Sequence, residues 1–314
     1  MRIFGRRFAA FLSVSWLIGT GGACQKKADP TPTPAPAPSA VETPAQRTTA
    51  SPKPDEEHHY RPFLYEVRSP DGKVSYLLGT MHLGFDYQEL PAYVWQHLAA
   101  SKRAVFETDA RTMGDAVGAR AKLPEGQKLS ALLGDDLWAG LRVALPGVPV
   151  ETLDRMAPWM VVSVLLARLY PTVLPVDLAV MREAERDHLE LGFLEPVELQ
   201  IGLLAEAAGK ETIAALLDEN SVMRGLYADA SNAYKKGDLE ALMKATQDPR
   251  SAEGGAATLD KLLYARNQAW VKPLSEAMAA GGAFVAVGAG HLGGDRDLLA
   301  LLEKQGYTSR RVSE

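Results

Sequence analysis

The sequence predicts an α/β fold: a mixed sheet built from the N- and C-terminal portions of the chain, with a large helical insertion between them. Two observations carry this. β-prone apolar runs cluster near the two ends of the folded part, and the middle places apolar residues at helical spacing over most of its length. With 46% hydrophobic and 23% charged residues in 314, the chain has enough apolar side chains for one sizeable core.

From the N-terminus, residues 1–23 have the form of a secretion signal: Arg2, Arg6 and Arg7, then the apolar run from Phe8 to Ile18, then small residues. That run is too short to span a bilayer. The single cysteine, Cys24, follows Gly-Gly-Ala, where a bacterial lipoprotein signal places its lipidated residue, so a lipid anchor on Cys24 is expected, with Gly21 standing where such signals usually carry Leu. The expected location is the bacterial cell envelope or the exterior, with the membrane reached through that lipid. Residues 24–59 are rich in Pro, Ala and Thr and predict an extended tether, with His58 and His59 as solvated residues at its end.

The folded domain is expected over 60–314. "FLYEV" and "VSYLLG" flank Pro-Asp-Gly, a hairpin signal. "AYVWQHLAAS" predicts a short helix carrying His97, and "RAVFET" a third strand. Helices follow in "KLSALLGDDLWAGLRVAL", "ETLDRMAPWMVVSVLLARLY", "DLAVMREAERDHLEL" (which carries His188), "VELQIGLLAEAAG", "KETIAALLDEN", "DLEALMKAT" and "TLDKLLYARNQAWVKPLSEAMAAGG". The apolar stretch Met160 to Tyr170 predicts a core helix rather than a groove wall. "AFVAVG" and "TSRRV" are the last strands, around a helix that starts after Gly293 and Gly294 and stops at Gly306.

Two histidines share one local pattern: Gly79-Thr80-Met81-His82-Leu83-Gly84 and Gly288-Ala289-Gly290-His291-Leu292-Gly293. Finding both glycines and the leucine around a given histidine by chance is a roughly one-in-a-thousand event at average composition. Each pattern follows an apolar β-prone run, which places each imidazole just past the carboxyl end of a strand, where open α/β sheets bind ligands. Glycine there permits positive φ or lets backbone approach a ligand closely. Glu107 ends a third such run. If the three strands are neighbours, His82, Glu107 and His291 converge, and two imidazoles with a carboxylate suit a divalent ion such as Zn, Mn, Fe or Co with a bound water. Asp109 and Asp177 are expected as a loop carboxylate and a helix cap.

Other chemistries are excluded. The net charge of −5 and the pI near 5.8 give no electrostatic footprint for nucleic acid. Gly288-x-Gly290-x-x-Gly293 fits the dinucleotide fingerprint, but too little chain follows it for the required further strand and acid. No Gly-x-Ser-x-Gly elbow, His-Glu-x-x-His helix or phosphate-binding Gly-Lys-Ser/Thr loop occurs.

The chain resembles the TraB/GumN family, to which the Tiki membrane proteases also belong. The likeness runs from about Phe63 to Val312 and rests on "YLLGTMHLG", "AVFETD", "MAPWMVVSVLL", "VDLAVMREAE" followed by "FLEPVELQ", "LLYARNQAW" and "AFVAVGAGHLGGDRDLLALLEKQGYTSRRV". The resemblance implies a fold like that of erythromycin esterase and of the haem-binding ChaN relatives. It implies two Gly-x-x-His motifs and a glutamate, which fall on Gly79, His82, Gly288, His291 and Glu107. Tiki relatives are divalent-metal-dependent peptidases, so the expectation is a metal-dependent hydrolase acting on a peptide or polypeptide, with a non-enzymatic haem-, metal- or peptide-binding lipoprotein as the alternative. The family's Arg-Asn pair falls on Arg266 and Asn267. Arg266 would steady an oxyanion or bind a substrate carboxylate, or else form a helix-surface ion pair. Glu195 would be a supporting carboxylate or a general base. Gly290 is expected, with Gly79 and Gly288, to cradle the bound group. A homodimer is left open, with no heptad seam to support it.

Overall fold

The computed structural model describes residues 60–170, 174–248 and 259–313. The expected signal peptide, Cys24, the tether, His58 and His59 lie outside the described residues. Six strands form one sheet: β1 (Phe63–Arg68), β2 (Val74–Thr80), β3 (Arg103–Phe106), β4 (Glu190–Phe193), β5 (Ala283–Gly288) and β6 (Thr308–Arg311). Their order is β4-β3-β5-β2-β1-β6. β4, β3, β5 and β2 run parallel, and β1 lies antiparallel to β2 and β6, so the sheet is mixed as predicted.

Local chemistry accounts for these elements. Pro70-Asp71-Gly72 turns β1 into β2, with Gly72 at φ 75° and Ser69 N–H donating to the Lys73 carbonyl at 2.9 Å. β5 has all six residues buried, the signature of a central parallel strand covered on both faces. Each of its wholly buried Phe284, Val285 and Val287 side chains contributes about 1.5–3 kcal/mol of apolar burial. The helix Val176–Arg186 packs across β3, β4 and β5 with its N-terminus at the carboxyl end of the strands.

The insertion is helical, and the elements differ from expectation at several points. Gly134, at φ 81°, splits the first long segment into helices Leu129–Leu133 and Asp135–Ala144. Pro158 opens the helix Pro158–Leu169 as its first residue, which separates it from the short helix Val150–Leu153. This helix buries Val161, Val162, Leu165 and Leu166 and is a core helix; Ser163 is satisfied by donating to the Trp159 carbonyl at 2.8 Å. His188 is not helical: the helix stops at Arg186, His188 adopts φ 58°, and the chain enters β4. β4 sits at the sheet edge and is only partly buried, so it lacks the apolar run that marks the inner strands. The helix Val222–Lys236, bounded by Ser221 and the left-handed Gly237, and the helix Met113–Arg120 are additions to the expected set. The last helix is shorter than expected, Leu298–Glu303, capped by Asp297. His97 lies in its expected helix and stacks on Tyr76 at 4.0 Å. Among the described residues no helix is long and apolar enough to cross a membrane.

Candidate active site

β3, β5 and β2 are adjacent and parallel, with Phe106 opposite Ala286 and Thr80 opposite Gly288. Their carboxyl ends deliver Glu107, His291 and His82 to one edge of the sheet, as the paired motifs predict. All three are buried, at 4%, 2% and 2% exposure. His291 Nε2 stands 3.7 Å from Glu107 Oε1.

The carboxylate of Glu107 is surrounded by donors. Gly288 N–H donates to Oε1 at 2.6 Å, while Gln200 Nε2 at 2.9 Å and Arg266 Nη2 at 2.6 Å donate to Oε2. Burial alone raises its pKa, but Arg266, the two histidines and the Gly288 amide outweigh this and hold it at about 2. At Gly288 a Cβ would sit 3.2 Å from Glu107 Oε1, a tight contact that would press on the carboxylate. At Gly79 a Cβ would come within 2.8 Å of Leu292 and 3.1 Å of the Ala289 backbone, so this glycine lets the turn Ala289–Leu292 lie across β2. Positive φ, the other expected use of glycine, belongs instead to Gly84 and Gly294. Gly290 is buried inside the turn.

Arg266 is at the centre, 4% exposed, and is no surface ion pair. Its Nε donates to Glu195 at 3.0 Å, Nη2 to Glu107 at 2.6 Å and to Glu195 at 2.7 Å, and Nη1 to the Leu262 carbonyl at 2.8 Å. The remaining Nη1 proton faces His291 Nε2 at 3.3 Å. A guanidinium has five N–H groups, so all of them are engaged. Arg266 also lies over the Trp270 ring at 4.6 Å, and Trp270 Nε1 donates to Glu195 Oε2 at 3.1 Å. Burial raises the pKa of Glu195 more than Arg266 lowers it.

The second partners of the two histidines fix their tautomers. Asp177 Oδ1 lies 2.8 Å from His82 Nδ1; a carboxylate accepts, so Nδ1 carries the proton and Nε2 the lone pair of the neutral ring. Burial lowers the pKa of His82, yet the charge and hydrogen bond of Asp177 reverse this and leave it raised. Asn267 uses Nδ2 on the carbonyls of His291 and Arg296, at 3.2 and 3.0 Å, so its Oδ1 faces His291 Nδ1 at 2.6 Å. His291 is therefore protonated on Nδ1 as well, and burial pushes its pKa down to about 3.

These contacts bear on the divalent ion expected from the histidine–glutamate set. The imidazole tautomers suit a ligand, but His291 Nε2 faces a guanidinium proton and both Glu107 oxygens already accept hydrogen bonds. Among the described residues no group of three His, Cys, Asp or Glu side chains is arranged to hold an ion. In this arrangement the three residues do not fit a metal.

The structure thus brings together His82, Glu107, His291, Arg266, Asn267 and Glu195, and adds Asp177, Gln200 and Trp270, which sequence reasoning left out or gave another role. Asp177 is no cap: Pro175 precedes the helix without a side-chain cap, and Asp177 spends its carboxylate on His82. The signal was available. Asp177 shares a helix face with Val180, Met181 and Ala184, and Gln200 with Val197, Ile201 and Leu204, all buried. A polar residue within an apolar stripe calls for a buried partner. Asp109, as expected, stays in a loop, where it pairs with Arg111.

A mixed α/β domain with a buried histidine, acid and arginine centre at the carboxyl ends of its parallel strands is the class these observations define. The chain belongs to the TraB/PrgY/gumN family, which it matches over residues 63–311. No curated protein was found to match it.

Proposed function

We propose that the protein is a hydrolase that cleaves a carbonyl–nitrogen bond of a peptide or polypeptide, working at the bacterial cell envelope or outside it, on a tether anchored by lipid at Cys24. The observation that carries the reading is the buried Asp177–His82 pair beside Glu107 and Arg266. With Nδ1–H held by Asp177, the Nε2 lone pair of His82 takes a proton from water as the water oxygen bonds to the substrate carbonyl carbon. Asp177 stabilises the imidazolium so formed, the part a buried aspartate plays in a histidine–aspartate pair. The carbonyl oxygen becomes an oxyanion, favoured by the positive charge of Arg266 in a site of low dielectric. Collapse of the tetrahedral species breaks the carbon–nitrogen bond, and the leaving amine takes the proton back from His82. Glu107 and Glu195 hold Arg266 in place. Asn267 and Trp270 fix His291 and Glu195.

The test is turnover of peptides by the purified protein, read by mass spectrometry over a library with free and blocked termini. Cleavage that disappears in His82→Ala is the expected result. A folded wild-type protein that cleaves nothing in the library, or a His82→Ala variant that cleaves as well as wild type, would overturn the reading.

A further inference from the structure

We infer that this centre carries out its chemistry without a divalent ion, with the Arg266 guanidinium as its built-in cation. The inference rests on the hydrolase reading for what the centre does, and on hydrogen bonds alone for what it binds.

A metal needs lone pairs, and of the proposed ligands His291 has its only one facing a donor, while Glu107 keeps a single one, on Oε1. His291 Nε2 faces Arg266 Nη1 at 3.3 Å. Glu107 Oε2 accepts from Arg266 Nη2 and from Gln200, and Oε1 accepts from the Gly288 amide. A divalent ion bound between these residues would have to displace a cation that is held by five hydrogen bonds and faced by two carboxylates. It would also come to rest beside that cation, and like charges a few ångströms apart in a buried site repel strongly. The backbone supports the same arrangement. Arg266 is aimed by its own bond to the Leu262 carbonyl and by the Trp270 ring beneath it, so it is held from below as well as from the front. Glu195, which a metal centre of His82, Glu107 and His291 would not need, has a clear purpose here: it accepts from Arg266 Nε and Nη2 and from Trp270 Nε1, and so locks the guanidinium plane. What a metal would supply, a fixed positive charge beside the reacting carbonyl, Arg266 supplies already.

The experiment is a cobalt(II) titration of the full chain after dialysis against a chelator. It is followed by visible d–d absorption and by elemental mass spectrometry, with peptide cleavage measured in parallel. Wild type is expected to show no d–d band, to retain less than about 0.1 cobalt per chain, and to lose no more than about twofold in cleavage rate with chelator present. Arg266→Gln removes the cation and frees both ligands, so this variant is expected to gain a cobalt band while losing cleavage. One cobalt per chain in wild type, lost in both His82→Ala and His291→Ala, would overturn the inference. So would a folded Arg266→Gln protein that still takes up no cobalt, because the guanidinium would then not be what occupies the ligands. If Arg266→Gln does not fold, as judged by circular dichroism, the wild-type titration decides alone. Absence of cleavage under every metal condition would sink the hydrolase reading and leave the cobalt result standing, since the absorption band requires no turnover.

Discussion

Asn267 Oδ1 lies 2.6 Å from His291 Nδ1, and the amide cannot turn over, because its Nδ2 group is committed to the carbonyls of His291 and Arg296. A neighbouring residue on one helix thus decides which nitrogen of a histidine on the opposite element carries the proton. Because Asn267 is neutral, it does nothing to offset burial, and His291 stays an uncharged imidazole.

That neutrality has a pH signature. Folded His291 takes up a proton only near pH 3, whereas in the unfolded chain it does so near 6.5. Between those values the unfolded chain binds about one more proton, so this residue removes stability as pH falls, at up to about 1.4 kcal/mol per pH unit. Glu107 acts in the same direction at lower pH: its contribution is present above 4.5 and is lost as pH falls towards about 2. His82, whose folded pKa is raised, acts oppositely and contributes most below 6.5. Comparing wild type with His291→Gln by urea unfolding at several pH values isolates the first effect. The stability gap between them should narrow by about 1 kcal/mol per unit as pH falls from 6.5 to 4.5. A gap that stays constant would mean that His291 is not buried as a neutral ring.

Asp177→Asn keeps the size of the side chain but removes the charge that stabilises the imidazolium of His82. Cleavage should fall by about 10²–10⁴-fold in kcat with little change in KM. Equal losses in Asp177→Asn and Asp177→Leu, with KM rising in both, would point to a damaged substrate site instead.

Glu107 and Glu195 both hold Arg266, but not equally. Glu107 stays ionised under strong stabilisation, while burial favours the neutral form of Glu195. Glu107→Gln should therefore cost about 3–5 kcal/mol in unfolding free energy, the range for a broken buried ion pair. Glu195→Gln, which leaves the Glu107 pair intact and can still accept from Trp270, should cost about 1–2 kcal/mol. Urea denaturation of the two variants checks the order, and a larger loss in Glu195→Gln would contradict it.

Thr80 Oγ1 is buried and has no hydrogen-bond partner among the described residues. Thr80→Val replaces the hydroxyl with a methyl of similar size. Thermal unfolding should show a gain of up to about 1 kcal/mol, because the desolvated hydroxyl is removed at no cost in packing. A loss of stability would reveal a partner for that oxygen.

The convergence of His82, Glu107 and His291 was legible because each follows an apolar strand, and strand periodicity is a local signal. The placement of β5 between β2 and β3 was inferred only as a condition on strand neighbours, and the register now satisfies it. Arg266 and Asn267 were legible through family resemblance alone, and Glu195 as a carboxylate close to a strand end. Asp177 was misassigned because an acid in the first turn of a helix suits the helix dipole wherever it points. Its actual partner, His82, lies 95 residues away in sequence. The metal expectation rested on residue types alone, which announce a ligand set; the arginine that donates to Glu107 and faces His291 lies on another helix, beyond the reach of any local pattern. β4 escaped because an edge strand of four half-covered residues has neither an apolar run nor clear alternation.

The turn that precedes Arg266, Asp260–Tyr264, is π-helical, and the carbonyl of Leu262 within it receives Arg266 Nη1. A π turn is an α-helix with one residue added. The aim of Arg266 and Asn267 therefore depends on that one extra residue in the turn. An in-frame deletion there would restore a regular helix and swing both side chains by about 100° around its axis, with every strand left in place. The length of the helix at this point thus sets whether Arg266 and Asn267 can reach Glu107 and His291 at all, independently of whether the histidines themselves are kept.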